Sequence, residues 1–270
     1  MTTAQNSAGG LIREWRTRRR MSQLDLAMEA EISQRHLSFV ESGRAAPSRE
    51  MVLHLAEQLS IPLRQRNRLL LAAGFAPSFS ERPLGDATMA PAMAAVEIVL
   101  KGHEPFPALA VGRHWNLVMA NAAVAPLLAD VSEVSLLTPP VNVLRLSLHP
   151  GGIAPRIVNL REWRTHLLQR LKQQIDASGD PELVDLEREL RGYPSGLKGG
   201  RPAPVEPNAI AHPLRLALGD EVLSFISTVT VFGTPLDVTL SELAIESFFP
   251  ADEQTRAVLA RLARERAERS

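Results

Sequence analysis

Ser22-Gln-Leu-Asp-Leu-Ala-Met-Glu-Ala-Glu-Ile-Ser-Gln-Arg-His-Leu-Ser-Phe-Val-Glu-Ser-Gly43 reads as two short helices joined by a tight corner. Ser22 and Ser33 suit the two N-caps, because a serine hydroxyl accepts from a first-turn N–H that has no partner within the helix. Leu24, Leu26, Ala27 and Ala30 of the first helix point toward a core, as do Leu37 and Phe39 or Val40 of the second. Gly43 supplies the positive φ that a helix C-terminus favours. The second helix turns small, polar and cationic side chains outward. That is the sequence form of a helix-turn-helix, whose second helix enters the DNA major groove.

Outward from this stretch the first 75 residues predict five helices. Leu11 to Arg20 forms the first. Pro47-Ser48 starts a fourth, with Met51, Val52, Leu55, Ala56 and Leu59 at helical spacing. Pro62 stands at the first position of a fifth that carries Leu63, Leu69, Leu70 and Ala73 to Gly74. Together they bury a small all-α core.

Residues 11–75 resemble the DNA-binding domain of the XRE family, the five-helix phage-repressor-like regulators. The match rests on the Ser22-Gln23 opening, the Leu26-Ala27 pair, Ser33 at the start of the third helix and Glu41-Ser42-Gly43-Arg44 at its end. Ser42 stands where the family usually has Asn. The resemblance implies a structural ion pair between Arg16 and Glu41, holding helices in register without reading bases. The DNA-facing set is Gln23, Ser33, Gln34, Arg35, Ser38, Phe39 and Arg44. Gln23 sits where backbone N–H groups and its own amide clamp a phosphate. Gln34, Arg35 and Ser38 face base edges; glutamine bonds adenine and arginine bonds guanine with paired hydrogen bonds. Phe39 either touches a thymine methyl or packs in the core. Arg44 contacts phosphate.

The chain has 270 residues, enough for two domains, and its formal charge is zero. That balance hides an asymmetry: residues 1–85 carry 12 Lys+Arg against 8 Asp+Glu, and the remainder 18 against 22. Arg13, Arg16, Arg18, Arg19 and Arg20 lie within one helix, a local positive field suited to phosphate. No cysteine is present, which excludes disulfides, thiolate metal sites and cysteine nucleophiles. The start of the chain lacks an apolar signal core, and nowhere do 18 uninterrupted apolar residues occur, so a cytoplasmic protein without a membrane partner is expected.

Residues 1–76 are thus expected to form the DNA-binding domain, 77–88 a linker rich in Pro, Ser and Gly, and 89–270 a second domain. The second domain opens with a helix from Met89 to Lys101. A hairpin follows, Pro107 to Gly112 and Trp115 to Ala120, with Trp115, Leu117 and Met119 on one face and both faces covered. Asn159-x-x-Glu162 predicts a capping box on a helix carrying Trp163, Leu167 and Leu171. Asp180-Pro181 starts another helix, which Gly192 stops. Residues 194–213 form a long Pro- and Gly-rich loop, of the kind that serves as lid or tether. Strands then run through Leu214–Leu218, Val222–Phe232 and Val238–Phe249, and Asp252 caps a closing helix. Two early strands and three late ones give an α+β plan with one five-stranded antiparallel sheet.

The segments around Trp115-Asn-Leu-Val-Met-Ala-Asn121, Asn142-Val-Leu-Arg145 to Gly152 and Gly233-Thr-Pro to Asp252 resemble the MmyB-like ligand-binding domain over roughly residues 89–255. The resemblance implies a PAS-like fold around a small-molecule pocket. Pocket residues are expected to be Trp115, Met119, Leu144, Arg145, His149, Trp163, Leu167, Phe225 and Val229. Such a group makes a mostly apolar cavity with one or two polar anchors. A fatty acid held by Arg145 or His149, or a similar apolar molecule, fits it; no other cofactor and no metal is expected.

Catalytic motifs are not found: the chain has no Gly-x-Ser-x-Gly elbow, phosphate-binding glycine loop or His-Glu-x-x-His. A transcription regulator is therefore expected rather than an enzyme, with a homodimer on a palindromic operator and a small-molecule ligand. The alternative is an antitoxin-like regulator whose C-terminal domain binds a protein partner.

Overall fold

A computed structural model describes residues 7–194 and 213–269. The expected lid or tether of residues 194–213 lies almost wholly outside the described residues. Five helices come first: α1 (Ala8–Arg18), α2 (Gln23–Glu29), α3 (Gln34–Glu41), α4 (Arg49–Gln58) and α5 (Leu63–Ala72). Each of the first four is capped by a serine, at positions 7, 22, 33 and 48, whose hydroxyl accepts a first-turn N–H. Ser22 forms a full capping box with Asp25. Ile12, Trp15, Leu26, Leu37, Val40, Val52, Leu55 and Leu70 are buried together as one core.

Three expectations for this unit change. α1 starts three residues before Leu11, at Ala8, because Gly9 and Gly10 are helical despite their poor propensity. The cause is close approach: a Cβ on Gly9 would lie 2.1 Å from the Val40 carbonyl oxygen, so only glycine lets α1 cross the end of α3 here. Pro62 is the N-cap of α5 rather than its first residue, its ψ of 150° being extended. Leu24 is 51% exposed, since α2 is a single short stripe and Leu26 and Ala27 take its inward side. Beyond α5, the side chain of Asn67 accepts from Ser78 and Phe79 N–H and donates to the Phe79 carbonyl, so the expected linker begins as anchored chain.

The second unit holds α6 (Ala90–Gly102), β1 (Ala108–Val111), β2 (Leu117–Ala120), α7 (Val143–Leu148), most of α8 (Leu160–Ser178), α9 (Pro181–Gly192), β3 (Leu214–Leu218), β4 (Glu221–Val231), β5 (Ala244–Pro250) and α11 (Glu253–Ala267), while residues 176–179 and the short helix α10 (Val238–Ser241) group with the first unit. The five strands form one antiparallel sheet in the order β2-β1-β5-β4-β3. α6 packs Val96 and Leu100 on Ala108, Ala110 and Ile245 of one face. Helices α7, α8 and α9 contribute Leu144, Trp163, Leu167 and Leu186 to the larger core, together with Leu216, Leu223 and Phe225 of the sheet.

Here too the structure departs from expectation. β2 is an edge strand and only half-buried, not covered on both faces. Residues 238–241 are helical instead of strand, because the Asp237 carboxylate accepts the N–H groups of Thr239 and Leu240 and caps a turn. Asn159 does not form the expected box; its side chain donates to Glu162 and to the Pro213 carbonyl and accepts from the Arg215 N–H, bracing β3. Asp180 caps α9 and also accepts from Arg113 and His114 at 2.6–2.9 Å.

Two measurements check this packing. Gly9→Ala gains helix propensity of about 1 kcal/mol, but overpacking against backbone costs about 1–3 kcal/mol, so thermal unfolding shifts to lower temperature. Burial pushes the Asp180 carboxyl up, but the hydrogen bonds from Arg113, His114 and the Glu182 N–H outweigh it and hold the group below the ordinary carboxylate range. A depressed folded-state pKa contributes stability above the unfolded pKa and loses it as pH falls through the folded one. Asp180→Asn therefore melts earlier than the parent at pH 7, and the gap closes below about pH 4.

Candidate functional site

The head's polar site starts from Glu41, whose side chain is 2% exposed at the end of α3. Arg16 donates to its two oxygens from Nε and Nη2 at 2.7 and 2.9 Å, and Gln23 Nε2 donates at 2.8 Å. Arg16 Nη1 also donates to the Met21 carbonyl. The Glu41 hydrogen bond raises the Arg16 pKa above its ordinary value, so the pair is a fixed charge pair. Gln23 is thus engaged inside the head, and its amide nitrogen is not available in full to a phosphate as the sequence suggests.

On α3 the buried side is Leu37, Val40 and Glu41, and the exposed front is Gln34 and Arg35, with Ser33 exposed before them. Ser33 caps the helix through the His36 N–H. Ser38 and Phe39 are half-buried. Phe39 stands outside the packed core; the Arg35 and Arg44 guanidinium groups lie 5.4 and 5.9 Å from its ring centre. One aromatic ring therefore carries two of the expected DNA-contacting cations on its faces or rim.

In the second unit a cavity of about 100 Å³ opens between the sheet and the helices on its inner face. Its order of size matches the roughly 150 Å³ apolar cavity that stays dry and takes up benzene in another protein. Trp115, Leu144, Trp163, Leu167 and Phe225 line it. So do residues the sequence reading did not single out, among them Leu109, Leu117, Leu127, Ile153, Glu246 and Phe248.

Four expected pocket residues are elsewhere. Arg145 is spent on Glu189, at 2.8 Å from Nη2, in a cluster where Tyr193 also donates to Glu189. Burial and the Glu189 hydrogen bond push the Tyr193 hydroxyl up to about 12. His149 accepts the Gly151 N–H on Nδ1 at 3.0 Å and meets the Tyr193 ring edge-on. Val229 is 46% exposed, beyond the covered part of the sheet face. Met119 is turned away by a β-bulge: Ala110 pairs with Met119 but Val111 pairs with Leu117, so the alternation breaks at Val118. Met119 then packs on the α6 side and Leu117 on the cavity side.

Trp115, at φ 65°, and His114, at φ 60°, hold the left-handed region in succession at the β1–β2 turn. For a bulky residue that conformation is strained and has to be held by its surroundings. The Trp115 indole N–H donates to Gln174 at 2.7 Å, and the Arg170 guanidinium lies 4.9 Å from its ring centre. Ligand atoms of His114, Asp180 and Glu182 come within 4.8 Å of one another, but Arg113 donates twice to Asp180 at the same place. A guanidinium already occupies the charge there, and the group acts as a latch between the turn and α9. Among the described residues no helix is long and apolar enough to cross a membrane.

Two family models match the chain, one in each part of the sequence. No curated protein matches the chain. Residues 12–65 match a family model described as helix-turn-helix, and residues 92–262 match the MmyB-like transcription regulator ligand binding domain. The second match alone covers more than half of the chain, and the protein belongs to the MmyB-like transcription regulators, with a DNA-binding helix-turn-helix ahead of a ligand-binding domain.

Proposed function

We propose that this regulator reads its operator through Gln34, Arg35 and Ser38 on the front of α3. Arg44 and the α2 N-terminus contact the flanking phosphates. Phe39 supports the reading as a platform that orients Arg35 and Arg44 toward the groove. A single α3 reaches few bases, so the protein acts as a homodimer on a palindromic site with half-sites about 34–36 Å apart. The working division is residues 1–76 for DNA, 77–88 as linker and 89–270 for the ligand, in a cytoplasmic protein.

The signal is an apolar small molecule held in the cavity of the second unit. The observation that carries this is the wall itself: apart from Ser147 and Glu246, the described residues lining it are Pro, Val, Leu, Ile, Phe and Trp. A concave wall of that composition fits a small molecule better than the extended surface a protein partner would need. Binding alters DNA affinity to the extent that it favours one arrangement of the two heads over another.

Gel shifts on the DNA upstream of the protein's own gene, at several salt concentrations, test the first part. Arg35→Ala costs about 1–3 kcal/mol on the operator and relaxes base preference, whereas Arg44→Ala weakens all sequences alike and lowers the salt slope by about 1. No shift at low salt contradicts the reading, since phosphate binding is strongest there. Native mass spectrometry of freshly purified protein tests the second part. A co-purified small molecule of apolar character is expected, and a bare polypeptide mass counts against it.

A further inference from the structure

α6 is apolar nearly all the way round. Of its residues Ala90–Gly102 only Glu97 and Lys101 are charged, whereas α9 exposes Glu182, Asp185 and Arg188. Val96 and Leu100 are buried against the sheet. With 3.6 residues per turn, Ile98 points away from that side, with the exposed Pro91, Ala94, Ala95 and Gly102 around it. Ile98 is 71% exposed, and Val99, on one flank of this face, is 46% exposed. Glu97 and Lys101 form the other flank, where they pair at 2.7 Å. Past the end of α6 the apolar surface continues onto the sheet. The His103 ring meets Phe249 edge-on at 4.6 Å, and Phe249 pairs across the strands with Ile226, both side chains being exposed. No described atom lies within 4 Å of where a Cβ on Gly102 would stand, so no neighbour within the protomer requires glycine there.

A helix that is apolar all round is normally covered all round, and a contiguous exposed apolar patch rimmed by polar groups marks an interaction surface. The charges say what covers this one. In an antiparallel helix pair with two-fold symmetry, each flank meets the same flank of the other copy. A face then fits itself when its charges are opposite in sign and symmetric about the axis. Glu97 and Lys101 are opposite in sign and symmetric about Val99. An axis there sets Glu97 of each copy against Lys101 of the other. The same axis, to within about half a residue, sets Ala95 against Gly102, which lets the backbones approach on either side of a central contact between the two Ile98 side chains. We infer that the outward face of α6 is the two-fold interface of the homodimer, packed antiparallel against α6 of a second copy in this register. A second copy is the occupant because charge and shape mark the same centre, a coincidence that an unlike partner would not need.

This inference rests on the homodimer reading, and sedimentation velocity of the full-length protein at low salt, over a range of concentrations, separates the two. The parent is expected to be a dimer. Ile98→Glu is expected to raise the dimer dissociation constant about a hundredfold or more, because a two-fold contact loses the side chain twice. Glu97→Lys is expected to weaken the dimer about fivefold, and Glu97→Lys with Lys101→Glu to return it to the parent value. Melting curves check that each variant is folded. The chain has no cysteine, so Ile98→Cys carries a unique thiol. It is expected to form an intermolecular disulfide on mild oxidation, whereas Val134→Cys, exposed elsewhere, is not. A dimer that Ile98→Glu leaves intact, or a double charge swap no tighter than Glu97→Lys alone, overturns the inference and keeps the homodimer. An Ile98→Cys thiol that neither cross-links nor reacts with a maleimide also overturns it, since the chain's own residues then cover α6. A parent that stays monomeric overturns the inference and the homodimer reading together.

Discussion

The buried contact between Arg16 and Glu41 is the constraint on which the DNA-binding head depends. Glu41 is nearly closed to solvent, and three N–H donors from α1 and α2 converge on its two oxygens. A desolvated carboxylate is tolerable only with such partners, and removing one partner of a buried pair typically costs about 3–5 kcal/mol. The same residue ends α3, so the charge pair fixes the axial and rotational setting of the recognition helix against the rest of the head. Gly9 sets the distance, because its missing side chain lets α1 reach the Val40 carbonyl. What α3 shows outward, Gln34 and Arg35, follows from what it is obliged to bury.

A comparable constraint shapes the second unit. The β-bulge between β1 and β2 sends Leu117 to one face and Met119 to the other, which keeps the α6 side closely packed and leaves the opposite side a wall of large apolar groups. Trp115 is bound into that wall through its indole N–H and by Arg170 over its ring. Within that wall the one charged residue among those described, Glu246, is met by the Arg170 guanidinium at 2.8 Å.

Much of this was legible in the chain. Serine caps and helical spacing predict the five helices of the head, and the alternation in residues 214–249 predicts most of a sheet. The misses share a cause: local pattern cannot see tertiary partners. Gly9-Gly10 reads as a poor helix start, yet close packing on α3 requires glycine there. Strict period-two reading puts Met119 with Leu117, and one bulged residue reverses it. Arg145 and His149 look like ligand anchors by residue type, but Glu189, Tyr193 and the Gly151 N–H already engage them. Glu246 is a single charge in the run Ala244-Ile-Glu-Ser-Phe-Phe of β5, and its partner Arg170, 76 residues away in sequence, is invisible to local pattern.

On the proposed function, the occupant of the cavity changes the affinity of the DNA-reading head. The direct measurement is fluorescence anisotropy of a labelled fragment from upstream of the protein's own gene, titrated with protein as purified and with protein stripped of apolar small molecules on a hydrophobic resin. The account predicts two separated isotherms on this fragment, with the stripped protein returning to the first on reloading, and coincident isotherms on unrelated DNA of equal length. Coincident isotherms on the upstream fragment, with a co-purified molecule present in one sample and absent from the other, would contradict it.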